Sequence, residues 1–409
     1  MGAGKEHMGM RSQKAAVAAG AIAMALLISG YGPHDAAGGT PKEEGKKAVI
    51  SLAGDCSLGN LSIHGYAGTF REMYDSHGPG YFFKNVKPIF EADDMTLVNF
   101  EGVLTNSNHL VPKAFNIKGK PEYIAILPEA DIEAVTFGNN HRIDYGAQGI
   151  ADTLAAFAGI GLPYACNETV GIYETEAGVK VGFVSVSVVD DGRGAEPYLQ
   201  EGIAHLKEEA DVILACCHWG PESVYYPDAY QRELGHKCID WGADLVVGCH
   251  PHVLQGIEAY NGKYILYSLG NFCFGANRNP RDKDTMIAQV EFTLGEENQK
   301  EAKLSVIPCT ISSVMHRNDY CPTPAEGEKR ADIIRKLNVY STGFGVVVKE
   351  DGTVSILGEE PDAGGEGGAD AEGGADTENG ADADSQALDS KEDGRFSESP
   401  VITVGGSGS

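Results

Sequence analysis

Side chains with the chemistry of metal ligands stand at the ends of five predicted strands in this chain of 409 residues. One polar residue after a strand is unremarkable, because loops are polar. Five strand ends with carboxylate, amide or imidazole groups favour a shared site, since sites in open α/β sheets gather at the carboxyl ends of strands. The residues are Asp55, Glu101, Asn140, His218 and His250, with His252 two residues further on.

These residue types suit a centre of two divalent cations. Carboxylates bridge two cations well, imidazole nitrogens bind metals such as Mn, Fe and Zn, and an amide oxygen adds a neutral ligand. Two metals about 3.5–4 Å apart can activate a water molecule and stabilise the group that is transferred. The sequence therefore predicts two metal ions bound by all six residues, although the pair His250 and His252 would by itself be a weak indication.

The elements that must position these residues alternate between strands and helices, which predicts an α/β fold with crossover helices. The turn residues Asn261-Gly262 predict a hairpin within residues 257–269, and a closing hairpin is expected at residues 344–357. Further strands are predicted at residues 47–53, 95–100, 134–137, 179–188, 212–217, 244–247, 287–294 and 303–311. Helices are predicted at residues 149–158, 202–210, 230–241 and 331–337.

Six motifs containing these residues occur in order along the chain. They are Ala53-Gly54-Asp55, Asn99-Phe100-Glu101, Asn139-Asn140-His141 with Asp144 and Gly146, His218-Trp219-Gly220 with Glu222, Gly248-x-His250-Pro251-His252 with Gln255, and Tyr267-Ser268-Leu269-Gly270-Asn271-Phe272. Together they resemble the CapA family, the capsule or poly-γ-glutamate synthesis proteins. That family is similar to the calcineurin-like metallophosphoesterases, and the resemblance covers about residues 48–350.

The resemblance implies a four-layer αββα sandwich of the metallophosphoesterase type, formed by residues 47–357. It also implies a distribution of the ligands between the metals: Asp55 on the first, Glu101 as the bridge, Asn140, His218 and His250 on the second, and His252 again on the first. His141 would protonate the leaving group or stabilise developing charge. Asp144 would orient the imidazole of His141, as carboxylates often do.

The first motif departs from the pattern of the superfamily, which is Asp-x-His. The corresponding residues Asp55-Cys56-Ser57 contain no histidine. The first metal therefore loses an imidazole ligand. This metal would be weakly bound, would take a water molecule as a ligand, or would be absent under some conditions. Phosphoesterase activity stays open with these alternatives.

Three further residues are candidates for substrate binding, each with an alternative. Glu222 would contact a ligand imidazole or the substrate, or be an ordinary surface residue. Asn271 would face the site or form a turn at a strand end. Arg142 would contact an anionic substrate or cap a helix, and Asn99 is expected to shape the turn before Glu101.

Composition and charge limit the functional classes. The formal net charge is −27, which disfavours nucleic acid as the main partner because its phosphates would be repelled. No Walker loop, Gly-x-Ser-x-Gly elbow or Rossmann fingerprint is present in the sequence. The nine cysteines show no CxxC spacing and are expected to be mostly free thiols. Residues 358–409 hold fourteen acidic and two basic residues and are expected to be a disordered tail.

The N-terminal residues have the pattern of a targeting segment. A basic n-region, residues 1–14, precedes an uncharged, largely apolar run at residues 15–33, which predicts a signal peptide or a membrane anchor. Tyr31 stands where a lipoprotein would have its lipidated cysteine, so lipidation is not expected. Residues 34–46 are expected to be a linker. The folded domain would lie on the extracytoplasmic face of the cell membrane, or be secreted if the signal is cleaved.

The leading hypothesis is a membrane-associated, metal-dependent enzyme with hydrolase or transferase chemistry, acting on an anionic poly-γ-glutamate or capsule polymer or its precursor. The alternative is a non-catalytic subunit that binds metal and polymer and helps a transmembrane synthase to release its product. The missing histidine at Ser57 favours the alternative, and the retained pair of His141 and Asp144 favours the enzyme. A phosphodiesterase with a substrate unrelated to capsule is a third hypothesis.

Overall fold

Nineteen β-strands and eight α-helices lie within residues 45–296 and 299–358, the part of the chain that this computed structural model describes. The predicted n-region, the signal or anchor and most of the linker lie outside the described residues, as does the acidic tail after Gly358. None of the helices in the described ranges combines the length and the hydrophobicity that a membrane span requires.

The strands, numbered in chain order, are β1 (Lys46–Ser57), β2 (Asn60–Leu61), β3 (Met95–Phe100), β4 (Val103–Leu104), β5 (Ile117–Gly119), β6 (Ala134–Thr136), β7 (Tyr164–Ala165), β8 (Gly171–Glu174), β9 (Lys180–Ser187), β10 (Val212–His218), β11 (Leu245–Cys249), β12 (Ile257–Tyr260), β13 (Lys263–Leu266), β14 (Asn271–Phe274), β15 (Asp284–Leu294), β16 (Lys300–Thr310), β17 (Thr323–Pro324), β18 (Val346–Val348) and β19 (Val354–Ile356). The α-helices are α1 (Phe70–His77), α2 (Lys87–Phe90), α3 (Ile126–Glu129), α4 (Gly146–Ile160), α5 (Val188–Asp191), α6 (Glu196–Glu209), α7 (Ala229–Trp241) and α8 (Gly327–Tyr340). Short 3-10 helices lie at Pro79–Tyr81, Pro121–Ala125 and Gly192–Ala195.

Most strands belong to two mixed sheets. The first has eight strands in the order β17-β16-β15-β1-β3-β6-β7, and β14 pairs with the end of β1. The second has six strands in the order β12-β13-β11-β10-β9-β8. Both sheets are parallel at their centres, where β1, β3 and β6 run together in the first sheet and β9, β10 and β11 in the second. The carboxyl ends of these strands therefore meet at one edge of each sheet.

Three apolar cores separate four layers. The first core lies between the sheets and includes Leu52 and Leu97 from one sheet and Phe183 and Leu214 from the other. The second core lies between the first sheet and helices α1 to α4, and the third between the second sheet and helices α6 and α7. This arrangement confirms the four-layer αββα sandwich that the family resemblance implied.

Strand β3 illustrates why the central strands form where they do. All six of its residues are buried. Met95 and Leu97 face the core between the sheets, whereas Val98 and Phe100 face the helices. An apolar run buried on both faces is typical of a central parallel strand, and each large side chain contributes about 1.5–3 kcal/mol by burial.

The predicted strands and helices are confirmed, with shifted ends. The main difference is at β1, which continues through Asp55 to Ser57 because β14 pairs alongside it. Gly54 permits this close pairing, since a Cβ atom there would lie 1.9 Å from the carbonyl oxygen of Gly270. All nine cysteines are free thiols, as predicted, and eight of them are buried.

Candidate metal centre

The six predicted metal ligands lie together where both sheets end. Asp55 is part of β1, and Glu101 directly follows β3. Asn140 lies in the loop between β6 and α4. His218 is the last residue of β10, and His250 is the first residue after β11. The convergence of the parallel strand ends thus brings ligands from both sheets to one place.

Asp55, Glu101 and His252 form the first group of ligand atoms. Nδ1 of His252 lies 3.1 Å from Oδ2 of Asp55, and Nε2 of His252 lies 3.8 Å from Oε1 of Glu101. One ligand atom from each of these residues lies within 4.8 Å of the other two. These three residues are therefore close enough to share a cation.

Asn140, His218 and His250 form the second group. Nε2 of His218 lies 2.9 Å from Oδ1 of Asn140 and 3.1 Å from Nδ1 of His250. Ligand atoms bound to one cation at about 2.1 Å lie roughly 3.0–3.4 Å apart in octahedral or tetrahedral geometry. Both distances from Nε2 of His218 are close to that spacing. The backbone N–H of His250 donates to Oδ2 of Asp55 at 3.3 Å, which joins the two groups.

The backbone of the loop after β11 is strained at both of its histidines. His250 has φ 97° and His252 has φ 58°, in the left-handed region that favours glycine. A residue other than glycine in such a conformation costs about 1–3 kcal/mol, and this strain concentrates at functional sites. The backbone conformation that directs these two imidazoles into the centre therefore lowers the stability of the fold.

The surroundings of Glu101 show whether a cation would fit at this site. The residue is fully buried, and neither of its carboxylate oxygens has a hydrogen-bond partner. A buried carboxylate without a partner is costly, so such groups are normally paired or bound to a metal. Its neighbours are imidazoles, with Nε2 of His141 at 3.6 Å and Nε2 of His252 at 3.8 Å. The residues present therefore fit a metal bound to Glu101.

The pKa values follow from burial and from the charges within the centre. Burial raises the pKa of Glu101 well above its usual value, and the charge of Asp55 raises it further. Burial also opposes ionisation of Asp55, but its hydrogen bond to His252 and the charge of that imidazole lower its pKa overall.

The three imidazoles of the centre differ in charge. Burial lowers the pKa of His252, yet Glu101 and Asp55 together raise it to about 9. Burial and the charge of His252 lower the pKa of His250 to about 4. Burial, with His250, lowers the pKa of His218 well below its usual value. Neutral His218 and His250 thus have nitrogen lone pairs available for a metal.

His141 is held by a buried carboxylate. Its Nδ1 lies 2.7 Å from Oδ2 of Asp144, while its Nε2 lies 3.6 Å from Oε1 of Glu101. Asp144 also accepts hydrogen bonds from Nζ of Lys113 at 2.7 Å and from the backbone N–H of Ile117 at 2.6 Å. These contacts fix the ring so that Nε2 faces the metal ligands.

Asn99 has a role that the sequence did not reveal. Its Nδ2 donates to Oδ1 of Asp55 at 2.8 Å and lies 3.3 Å from Nδ1 of His218. Its Oδ1 accepts from Thr136 at 3.1 Å and from Asn139 at 3.3 Å. Asn99 therefore links a ligand of the first sheet to a ligand of the second, rather than only shaping a turn.

Asn271 lies beside two of the predicted metal ligands, Asp55 and His252. It is opposite Asp55 in the pairing of β1 with β14. Its Oδ1 lies 3.0 Å from Nδ1 of His252, and its Nδ2 donates to the carbonyl oxygen of His252 at 3.1 Å. Ser57 is buried and accepts a hydrogen bond from the N–H of Ala276 at 3.1 Å. Asn271 thus holds His252 in place and faces the centre.

A cleft of about 450 Å³ opens beside the centre and is lined by His141, Glu222, His252 and Asn271. The charge of Glu222 reaches the centre, since it raises the pKa of His252. Of the three predicted substrate-binding residues, the structure brings Glu222 and Asn271 to the cleft. Arg142 is not among the described residues that line the cleft. Its side chain lies beside Cys166 instead.

Comparisons with known proteins agree on one family. The family model described as bacterial capsule synthesis protein PGA_cap matches residues 49–276. The PGA biosynthesis protein CapA of Bacillus subtilis is 30% identical over 312 residues, which cover 70% of this chain and 77% of that protein. The capsule biosynthesis protein CapA of Bacillus anthracis is 30% identical over 294 residues, which cover 66% of this chain and 68% of that protein.

Solved structures show a weaker similarity. A 5'-nucleotidase from Candida albicans aligns with a TM-score of 0.37 and 12% identity, over 73% of this chain and 58% of that chain. The protein TT1561 of Thermus thermophilus aligns with a TM-score of 0.35 and 14% identity, over 62% of this chain and 97% of that chain. These similarities are too low to bear on function.

Proposed function

Because the chain belongs to the bacterial capsule synthesis protein family, as its motifs predicted, we propose that it is a metal-dependent enzyme. It would act in the synthesis or export of poly-γ-glutamate or another capsule polymer. The proposed reaction is hydrolysis or group transfer at a phosphoester or a γ-glutamyl amide. One observation carries the proposal: the carboxylate of Glu101 is buried without a hydrogen-bond partner, within a group of ligand atoms that it shares with Asp55 and His252.

Two divalent cations such as Mn, Fe or Zn suit this mixture of oxygen and nitrogen ligands. The residues that would hold them are Asp55 and His252 at the first position, Asn140, His218 and His250 at the second, and Glu101 between the two. When bound, the cations would lower the pKa of water and stabilise negative charge on the transferred group. The chain contributes the fixed arrangement of these ligands, since Asn99 and Asn271 hold three of them.

His141 would transfer a proton to the leaving group. The hydrogen bond from Nδ1 to Asp144 leaves Nε2 directed towards the centre, and His141 also lines the cleft where the substrate would enter. A positioned general acid contributes about 10²–10⁴-fold to the rate. Lys113 offsets the charge of Asp144, so that Asp144 orients the ring rather than taking its proton.

The cleft suggests how a substrate would be held. Glu222 is exposed on its wall, where it would accept hydrogen bonds from N–H or O–H groups of the substrate. Arg281 lies on the same wall and is exposed, so that it would pair with an anionic group. Arg142, placed beside Cys166, has no position in this proposal.

We further propose that the folded domain lies on the extracytoplasmic face of the cell membrane, or is secreted if residues 15–33 are removed. The basic residues before this apolar run support that orientation. The partners would be an anionic polymer or its precursor and the subunits of a transmembrane synthase. Nucleic acid is not among the proposed partners, because the net charge of −27 repels it.

Metal analysis of the purified full chain tests the enzyme proposal. We expect about two bound metals per chain and turnover of an artificial phosphodiester or a γ-glutamyl amide. His250→Ala should lose both the metal and the turnover. The matched control is His205→Ala, which changes an exposed histidine on α6 and should alter neither. Less than one bound metal per wild-type chain in metal-supplemented buffer would contradict the proposal.

A second candidate function is a non-catalytic subunit that binds metal and polymer and assists a transmembrane synthase. Ser57 favours it, because the first metal position has no histidine there. The same metal analysis separates the two candidates. Two bound metals without turnover of either substrate would favour the subunit, whereas turnover that depends on His141 would favour the enzyme.

A further inference from the structure

A groove with basic and aromatic walls lies beside the cleft. Its volume is about 580 Å³, and Leu61 lines both the groove and the cleft. Among the described residues, none of those lining the groove is Asp or Glu, although the chain has a net charge of −27. The basic and aromatic residues that line it are Arg71, Lys118, Lys120, Tyr66, Tyr123 and Tyr145.

The small sheet formed by β2, β5 and β4 contributes residues to both the groove and the cleft. In β5, Ile117 lines the cleft and the next residue, Lys118, lines the groove. Successive residues of a strand point to opposite faces, so this one strand presents an apolar wall to the cleft and a cation to the groove. A long ligand in the cleft can therefore continue past Leu61 into the groove.

The groove retains cationic groups that acidic neighbours do not fully neutralise. Lys118 has neutral partners, since its Nζ donates to Oδ1 of Asn108 at 3.0 Å and to the carbonyl oxygen of Ser107. Nζ of Lys118 also lies 4.8 Å from the centre of the Tyr145 ring. Arg71 pairs with Asp75 at 3.7 Å, and Lys120 pairs with Glu122 at 3.1 Å and with Asp75 at 3.6 Å, but neither acid is part of the groove lining.

A buried polar atom in the groove wall provides an independent indication of a ligand. Tyr123 is 2% exposed, and its hydroxyl has no hydrogen-bond partner. Nδ1 of His64, which also lines the groove, is buried without a partner as well. Buried polar groups in folded proteins are nearly always satisfied, and exceptions require an explanation. Solvent does not reach either atom in the unbound protein, so a bound molecule would satisfy them only by shifting the groove wall.

We propose that this groove binds an extended polycarboxylate chain whose reacting bond lies in the neighbouring cleft. Successive carboxylates pair with Lys118, Lys120 and Arg71, and the methylene groups between them pack on the tyrosine rings. Charge-assisted hydrogen bonds to lysine and arginine suit carboxylates. The choice of a polycarboxylate over other polyanions rests on the proposed function, whereas the groove itself rests on its lining.

Binding of a fluorescently labelled decamer of γ-linked glutamate tests the proposal. The full chain carries His141→Ala, so that the probe is not consumed, and Kd is measured by fluorescence anisotropy. The groove variant combines Arg71→Gln, Lys118→Gln and Lys120→Gln. Its matched control removes the same charge by Lys47→Gln, Lys207→Gln and Lys303→Gln, three exposed lysines that do not line the groove. We expect the groove variant to bind about tenfold more weakly, or worse, and the control to bind within about twofold of the parent.

Two further measurements distinguish a loss of ligand contacts from a loss of folding. Tyr123→Phe removes only the unpartnered hydroxyl, so it should raise the melting temperature while weakening binding several-fold. A decamer of γ-linked glutamine has the same backbone without the charges and should bind about tenfold more weakly than the glutamate decamer. Equal affinity of the groove and control variants, or tighter binding of polyphosphate than of the glutamate decamer, would overturn the proposal.

The binding and turnover measurements together also distinguish failure of the groove proposal from failure of the enzyme proposal. Weaker binding by the groove variant, without turnover by the wild type, supports the groove and refutes the enzyme. Turnover by the wild type, with equal binding by the groove and control variants, supports the enzyme and refutes the groove.

Discussion

Replacing Glu101 by glutamine should shift the stability of the metal-free and the metal-loaded protein in opposite directions. In the metal-free protein the buried carboxyl of Glu101 is either charged without a partner or protonated at neutral pH. Either state costs about 1–3 kcal/mol. A neutral amide removes the repulsion from Asp55 and offers it an N–H donor. The metal-free melting temperature should therefore rise by about 2–6 °C.

The pH dependence of this difference has a defined sign. Burial raises the pKa of Glu101 in the folded protein above its usual value of 4.5. The pH-dependent part of this cost is therefore absent below about pH 4.5 and grows as the pH rises towards the folded-state pKa, because the folded protein holds a proton that the unfolded chain releases. The glutamine variant lacks this dependence, so the two melting temperatures should diverge as the pH rises.

In the metal-loaded protein, Glu101→Gln should no longer have a higher melting temperature than the wild type. A cation present at 100 times its Kd stabilises the fold by about 2.7 kcal/mol, which corresponds to about 5 °C. Glu101 shares the first group of ligand atoms with Asp55 and His252, and its Oε1 lies 3.8 Å from Nε2 of His252. Without its carboxylate, the metal should raise the melting temperature of the variant by less than about 1 °C.

Thermal unfolding with a chelator and with Mn²⁺ measures both effects. Glu258→Gln is the matched control, because Glu258 is buried but both of its oxygens have partners. Oε1 of Glu258 lies 2.9 Å from Nε2 of His236, and Oε2 accepts from the hydroxyl of Tyr267. This control should lower the melting temperature under both conditions and keep the increment from metal. The reasoning is refuted if Glu101→Gln lowers the metal-free melting temperature, or if it keeps the full increment.

Three other substitutions probe the groups around the ligands. His141→Ala should leave the number of bound metals unchanged and reduce turnover of an artificial phosphodiester by about 10²–10⁴-fold; loss of the metal would contradict this. Asn271→Ala should weaken metal binding about 10–100-fold in a Mn²⁺ titration, because His252 loses its support; the exposed control Asn279→Ala should not. Asn99→Leu should lower the melting temperature and weaken metal binding together, and a change in only one would count against its linking role.

The ends of the central strands could be predicted from the sequence, because the local pattern of apolar and polar residues determines where each strand ends. Strand β3 is an apolar run that ends one residue before Glu101, and β10 is another that ends at His218. The pattern therefore reveals both the strand and the polar residue at its end. Convergence of these ends follows from the parallel sheets, which the alternation of strands and helices predicts.

Other features of the site depend on contacts between distant parts of the chain. Asn99 bonds to Asp55 and to His218, which are 44 and 119 residues away. Nothing in its local sequence indicates those partners. Strand β14 has only four residues, and it forms because β1 offers a free position alongside Asp55. Arg142 follows His141 in sequence, but its side chain interacts with Cys166, which is 24 residues further along the chain.

The two sheets contribute different chemistry to the centre. The ends of the first sheet supply its oxygen ligands, and the ends of the second sheet supply its imidazoles. The oxygen ligands are Asp55, Glu101 and Asn140, and the imidazoles are His218, His250 and His252. A cation with ligands of both kinds must therefore contact both sheets. Because the apolar core between the sheets is not directional, polar contacts at these strand ends fix how the two edges align. Such a site would be complete only when the sandwich has closed, so metal binding at the proposed centre would add its free energy to the stability of the sheet packing.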